Sequence, residues 1–80
     1  MDRTDVLVKL NEIFRDLFDD EKIILTEETV SEDIEDWDSL GQVYLITEIE
    51  DEFGIVSDEK LQTSRSVSSL IDNILRLKEI

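Results

Sequence analysis

Apolar positions recur along this chain with the period of a helix in three separate stretches. Val6, Leu7, Leu10, Ile13, Phe14, Leu17 and Phe18 are spaced by three and four, while Lys9, Glu12, Arg15 and Asp16 take the positions between. That pattern makes one apolar face and predicts a helix over Thr4–Phe18 with Thr4 as its N-cap. Leu40, Val43, Ile46, Ile49 and Phe53 repeat the pattern over Ser39–Phe53. Asp38 precedes this second helix as its expected N-cap, and Gly54 follows where a helix-ending glycine belongs. Val67, Leu70, Ile71, Ile74 and Leu75 mark a last helix from about Ser66 to Leu77. Thr63, Ser64 and Ser66 supply its cap chemistry, and Arg76 and Lys78 suit the negative end of its dipole.

Two connections remain. Ser57 is the expected cap of a brief helical turn over Asp58–Gln62, with Leu61 facing inward. Asp19–Asp38 is longer than most connections in compact domains. Ile23, Ile24, Leu25, Val30, Ile34 and Trp37 give it apolar points by which to pin itself to the helices. A short strand over Lys22–Thr26 is the competing reading, but it has no evident pairing partner. The fold expected is therefore all-α: a small four-helix bundle, three long helices and one short, with a long acidic loop between the first two. It is expected as a single domain over residues 1–80.

Charge adds a direction to this picture. The net charge is −14, and the segment from Asp19 to Glu52 holds fourteen acids against the single Lys22. Nearly all of the excess thus lies in the long loop and the second helix. Such a balance argues against nucleic-acid phosphates and anionic membranes as partners, and for basic proteins. It also makes the fold sensitive to ionic strength. With 40% hydrophobic residues in periodic order, a folded chain is expected over a disordered one. The N-terminus lacks a basic stretch leading into an apolar run, and no segment nears the roughly 20 apolar residues of a membrane span. A cytoplasmic monomer is expected.

The chain has no cysteine and no histidine. It therefore lacks the thiolate, the commonest general base and the commonest metal ligand, and a non-catalytic role is expected. Asp36, Asp38 and Gly41 fall at the first, third and sixth places of a calcium loop. Leu40 and Thr47 then occupy ligand places, so no specific metal site is expected. Ser39 has no histidine to activate it as a nucleophile. A serine at a helix start is most often a cap, but Asp38 is available for that task. Ser39 is then free to carry a phosphate ester, which a helix N-terminus favours. These residues alone leave the modification unnamed.

The run Trp37-Asp38-Ser39-Leu40-Gly41-Gln42-Val43-Tyr44-Leu45-Ile46, continuing through Glu48-Ile49-Glu50-Asp51-Glu52-Phe53-Gly54-Ile55, resembles the acyl carrier protein family. The order of helices resembles that family along essentially the whole chain. The resemblance implies that Ser39, flanked by Asp38 and Leu40, receives 4′-phosphopantetheine from coenzyme A through a phosphopantetheinyl transferase. Acyl groups would then ride as thioesters on that arm. It further implies that the second helix, through Gly41, Val43, Tyr44, Glu48, Glu50 and Asp51, docks acyl-loading, condensing or acyltransferase enzymes bearing basic patches. Short acyl chains would tuck against Val43, Ile46, Leu61 and Ile71. Gly41 and Tyr44 depart from the acid or polar residue and the glutamate usual in housekeeping fatty-acid carriers, and Trp37 departs from a small residue. These departures point to a dedicated carrier for polyketide, modified-lipid or surface-glycan assembly. A D-alanyl or aminoacyl carrier of the same fold stays open, as does an unmodified acidic interaction module in which Ser39 merely caps.

Overall fold

The protein is described by a computed structural model that covers residues 1–79. Its regular elements are helices: α1 (Arg3–Leu17), a 3-10 turn (Ser31–Asp33), α2 (Ser39–Phe53), α3 (Glu59–Gln62) and α4 (Val67–Lys78). The expected small helical bundle, three long helices and one short, is what forms. No strand occurs at Lys22–Thr26.

The boundaries follow from local chemistry. Asp2, not Thr4, caps α1. Its carboxylate accepts from the Asp5 N–H at 2.9 Å, and the Asp5 side chain accepts in return from the Asp2 N–H. This reciprocal pair satisfies two backbone donors, which a lone Thr4 hydroxyl could not do. Asp38 caps α2 as expected, with Oδ1 accepting from the Gly41 N–H at 2.8 Å. Gly54 ends α2 in the left-handed conformation at φ 64°. Asp58, not Ser57, caps α3. Ser57 is drawn instead to Glu50. Ser66 caps α4.

One cluster of buried side chains joins the elements: Val6, Leu10 and Phe14 of α1, Leu45, Ile49 and Phe53 of α2, and Leu61 of α3 with Leu70, Ile71 and Ile74 of α4. Trp37 from the loop enters the same core and meets Phe14 edge-to-face, with ring centroids 5.0 Å apart. Such a pair contributes on the order of 1 kcal/mol beyond the area it buries.

The long loop is held largely by polar groups. The Asn11 side chain accepts from the Leu25 N–H at 2.7 Å, and Arg15 Nε donates to the Ile23 carbonyl at 2.7 Å. Arg15 therefore reaches across to the loop from what was expected to be the solvent face. Further on, Val30 pairs antiparallel with Ser66, and Ser31 N–H donates to the Arg65 carbonyl at 2.8 Å. Ile23, Leu25 and Trp37 bury as expected, whereas Ile24 and Val30 are exposed.

The inward face of α2 differs from the expected one. Gln42, Leu45, Ile46, Ile49 and Phe53 are buried, while Leu40 and Val43 are each 61% exposed. The reason is geometric. A helix turns every 3.6 residues, so successive steps of three walk backwards around it. Leu40 and Ile49 end up on opposite faces, and only the latter half of the apolar series points to the core.

Candidate functional site

Ser39 is the first residue of α2 and is exposed. Because the Asp38 carboxylate takes the Gly41 N–H, the serine hydroxyl is not needed as the cap. The first backbone N–H groups of a helix lack intrahelical partners, and Ser39 and Leu40, which carry two of them here, are both exposed residues. A phosphate ester at Ser39 would meet both these donors and the positive end of the helix dipole. The residues present thus fit such a group.

The turn into α2 is locked from beneath. Trp37 Nε1 donates to Gln42 Oε1 in the interior. Gln42 Nε2 donates to the carbonyls of Gln62 at 3.0 Å and Ser64 at 2.7 Å. One buried amide thereby ties the segment before Ser39 to the α3–α4 connection. Arg65 Nη2 adds a bond to the Trp37 carbonyl at 3.1 Å. Gln42 carried no sequence signal of this role, since a glutamine amid apolar residues reads as a solvent position. Gly41 has its own reason. A Cβ there would lie 2.1 Å from the Asp36 carbonyl oxygen, which folds back over the first turn. Only glycine allows that approach.

The expected docking residues divide between faces. Leu40, Tyr44, Glu48 and Asp51 are exposed and fall on one stripe of α2, at steps of four, four and three. Beside this stripe lies a shallow groove of about 330 Å³ toward the end of α1, lined by Leu17, Phe18, Leu40 and Tyr44 and edged by acids that include Asp19 and Asp36. Gly41 is buried and presents no side chain. Val43 and Glu50 belong to a different stripe, running below Ser39 into a cleft between α2 and the α3 region. Glu52 pairs with Lys9 at 3.0 Å and so braces α2 against α1. Of the family-style acids, Glu48 and Asp51 are thus the two that stand outward on the Tyr44 face. Of the four residues expected against an acyl chain, Val43 and Ile46 line the cleft, while Leu61 and Ile71 are sealed in the core. Among the described residues no three carboxylates converge as a metal cage would require.

The Glu50 carboxylate is turned to the α2–α3 loop. It accepts from Ser57 N–H at 2.9 Å and from Ser57 Oγ at 2.8 Å, and these donors hold its carboxyl below the ordinary value of 4.5. Asp58 is likewise lowered, chiefly by the Leu61 N–H at the α3 cap and then by Arg76, against the cost of its burial. Both shifts are downward, so both groups add stability above their unfolded values and lose it as pH falls through the folded ones. The melting temperature of the native protein should therefore exceed that of Glu50→Gln at neutral pH, and the gap should close below about pH 4.5. A gap that stays constant into acid would show that the Ser57 bonds do not act through the carboxylate charge.

An acyl carrier protein of Rubrobacter xylanophilus is 38% identical to this chain over 77 residues, covering 94% of each. The chain belongs to the acyl carrier protein family. A match of that extent takes in Asp38, Ser39 and all of α2. No family model matches the chain, and no solved structure matches it. Gly41 is a packing requirement of the turn at Asp36–Trp37, and Tyr44 faces outward. Among the described residues no helix is long and apolar enough to cross a membrane.

Proposed function

We propose that this chain carries acyl intermediates as thioesters on a 4′-phosphopantetheine arm esterified to Ser39, and presents them to enzymes that act on them. The single observation that carries this reading is the division of labour at the start of α2: Asp38 caps, and the exposed Ser39 is left without a capping task at the positive end of the helix. The arm supplies the thiol that a chain without cysteine lacks. The chain's own residues hold and orient the attachment point, through the Gln42 lock and the Asp38 cap. They supply no histidine or thiolate for chemistry, so the chain is acted on and does not itself catalyse.

Docking falls to the Leu40–Tyr44–Glu48–Asp51 stripe. Its apolar centre between acids fits a partner surface that is apolar with a basic rim. The partners proposed are a phosphopantetheinyl transferase and acyl-loading, condensing or acyltransferase enzymes, met in the cytoplasm by a monomer. Tyr44 in this stripe favours a carrier dedicated to one pathway over a general fatty-acid carrier.

Incubation with coenzyme A and a promiscuous phosphopantetheinyl transferase tests the reading by intact mass. The native chain should gain one phosphopantetheine, and Ser39→Ala should gain none. No gain with several such transferases would reduce the chain to an acidic interaction module.

A further inference from the structure

The cleft below Ser39 says something about cargo, given the carrier reading on which this inference rests. It has a volume of about 340 Å³ and opens along the α2 stripe that begins at Ser39 and continues through Val43, Ile46 and Glu50. Val43 and Ile46 are its apolar part. Thr47, Glu50, Ser57 and Gln62 make the rest of its wall polar. Ser57 Oγ and Gln62 Nε2 are linked at 2.9 Å, so these groups form one hydrogen-bonded chain ending at the Glu50 carboxylate. The carboxylate takes both Ser57 bonds on Oε2, which leaves Oε1 able to accept a further bond.

Behind the cleft stands Gln42, only 6% exposed. Its amide is engaged by Trp37 Nε1 and by the carbonyls of Gln62 and Ser64. Leu61, Leu70 and Ile71 lie fully buried in the core. An alkyl chain entering from Ser39 would have to break this buried amide's bonds to reach the core, and each broken bond leaves a polar group without a partner. A short cargo meets no such barrier.

We infer that this carrier shelters a short acyl group bearing a hydrogen-bond donor, a hydroxyl or an amine, in the outer cleft, and that Gln42 excludes long alkyl chains from the interior. The donor pairs with the Glu50–Ser57–Gln62 wall. Medium and long alkyl cargo stays outside, exposed to solvent on the arm.

The test loads the native chain from octanoyl-, butyryl- and 3-hydroxybutyryl-coenzyme A and compares backbone amide resonances with those of the form carrying the bare arm. The 3-hydroxybutyryl form should shift the amides of Thr47, Ser57 and Gln62 more than the butyryl form does. The octanoyl form should leave Leu61 and Ile71 unmoved and the melting temperature unchanged. In Gln42→Ala the octanoyl form should shift Leu61 and Ile71. The native arms decide the matter even where that variant folds poorly. Octanoyl-dependent shifts at Leu61 and Ile71 in the native chain, or equal cleft shifts from butyryl and 3-hydroxybutyryl, would overturn the inference. Loading without these patterns leaves the carrier role standing, whereas failure to load at Ser39 removes both.

Discussion

Replacing Gln42 by leucine should lower the melting temperature by roughly 15 °C, a loss of about 3 kcal/mol for a chain of this size. By hydrophobicity alone the change looks favourable, since it puts an apolar residue at a buried position in the apolar centre of α2. The hydrogen bonds reverse the sign. Leucine would leave Trp37 Nε1 and the Ser64 carbonyl without partners in the interior, and the Gln62 carbonyl only solvent. An unpaired buried group costs about 1–3 kcal/mol, and two of them outweigh the gain from one apolar side chain. Tyr44→Gln, on the exposed face two residues on, should move stability by less than about 0.5 kcal/mol. Thermal melts of the two variants side by side check the contrast. Equal effects would mean that the amide is not what locks the turn before Ser39.

Alanine at Gly41 should also destabilise, by about 2 kcal/mol. Here helix propensity argues the opposite way, favouring alanine over glycine in a helix by about 1 kcal/mol. The Asp36 carbonyl decides it. A methyl group would sit 2.1 Å from that oxygen, and the oxygen belongs to backbone that Trp37 anchors in the core. Relief would require the Asp36–Trp37 turn to swing out and the indole to leave Phe14. Denaturant unfolding gives the sign directly, and a stabilised Gly41→Ala protein would show that the turn is looser than drawn. The same change should broaden the amide resonances of Asp38 and Ser39, since both follow directly on that turn.

These two residues also mark where the sequence could be read and where it could not. Helices α1, α2 and α4 were legible because their apolar residues recur at three and four. Asp38 and Gly54 were legible because capping and left-handed stops need particular residue types. The cap of α1 was legible in principle, since Asp2 and Asp5 have the spacing of a reciprocal cap, but Thr4 masked it. The facing of α2 was ambiguous. Leu40, Val43, Tyr44, Leu45 and Ile46 cover much of the helix circumference, and no local rule says which half meets the core. The pairing that holds the loop was not legible either, because Val30 and Ser66 meet across a long stretch of chain without any strand-like pattern.

The candidate site shows the same division. Ser39 stands out from local sequence as a residue relieved of capping. The sorting of its neighbours does not, because no local rule says that Val43, though exposed, and Glu50 line the cleft toward α3 while Tyr44 and Asp51 share the other stripe. The structure leaves Tyr44, Glu48 and Asp51 on the open face and turns Glu50 to Ser57. The docking surface proposed is therefore smaller than the sequence implied, with its apolar part at Leu40 and Tyr44.

The central claim is that Ser39 bears the arm, and peptide mapping by tandem mass spectrometry tests it most directly. The native chain, incubated with coenzyme A and a phosphopantetheinyl transferase, is digested and the fragment spanning Trp37 to Glu48 is sequenced. The account predicts phosphopantetheine on Ser39 and on no other hydroxyl of the chain. An unmodified Ser39, or the group found on Ser31, Ser57 or Ser66 instead, would contradict it.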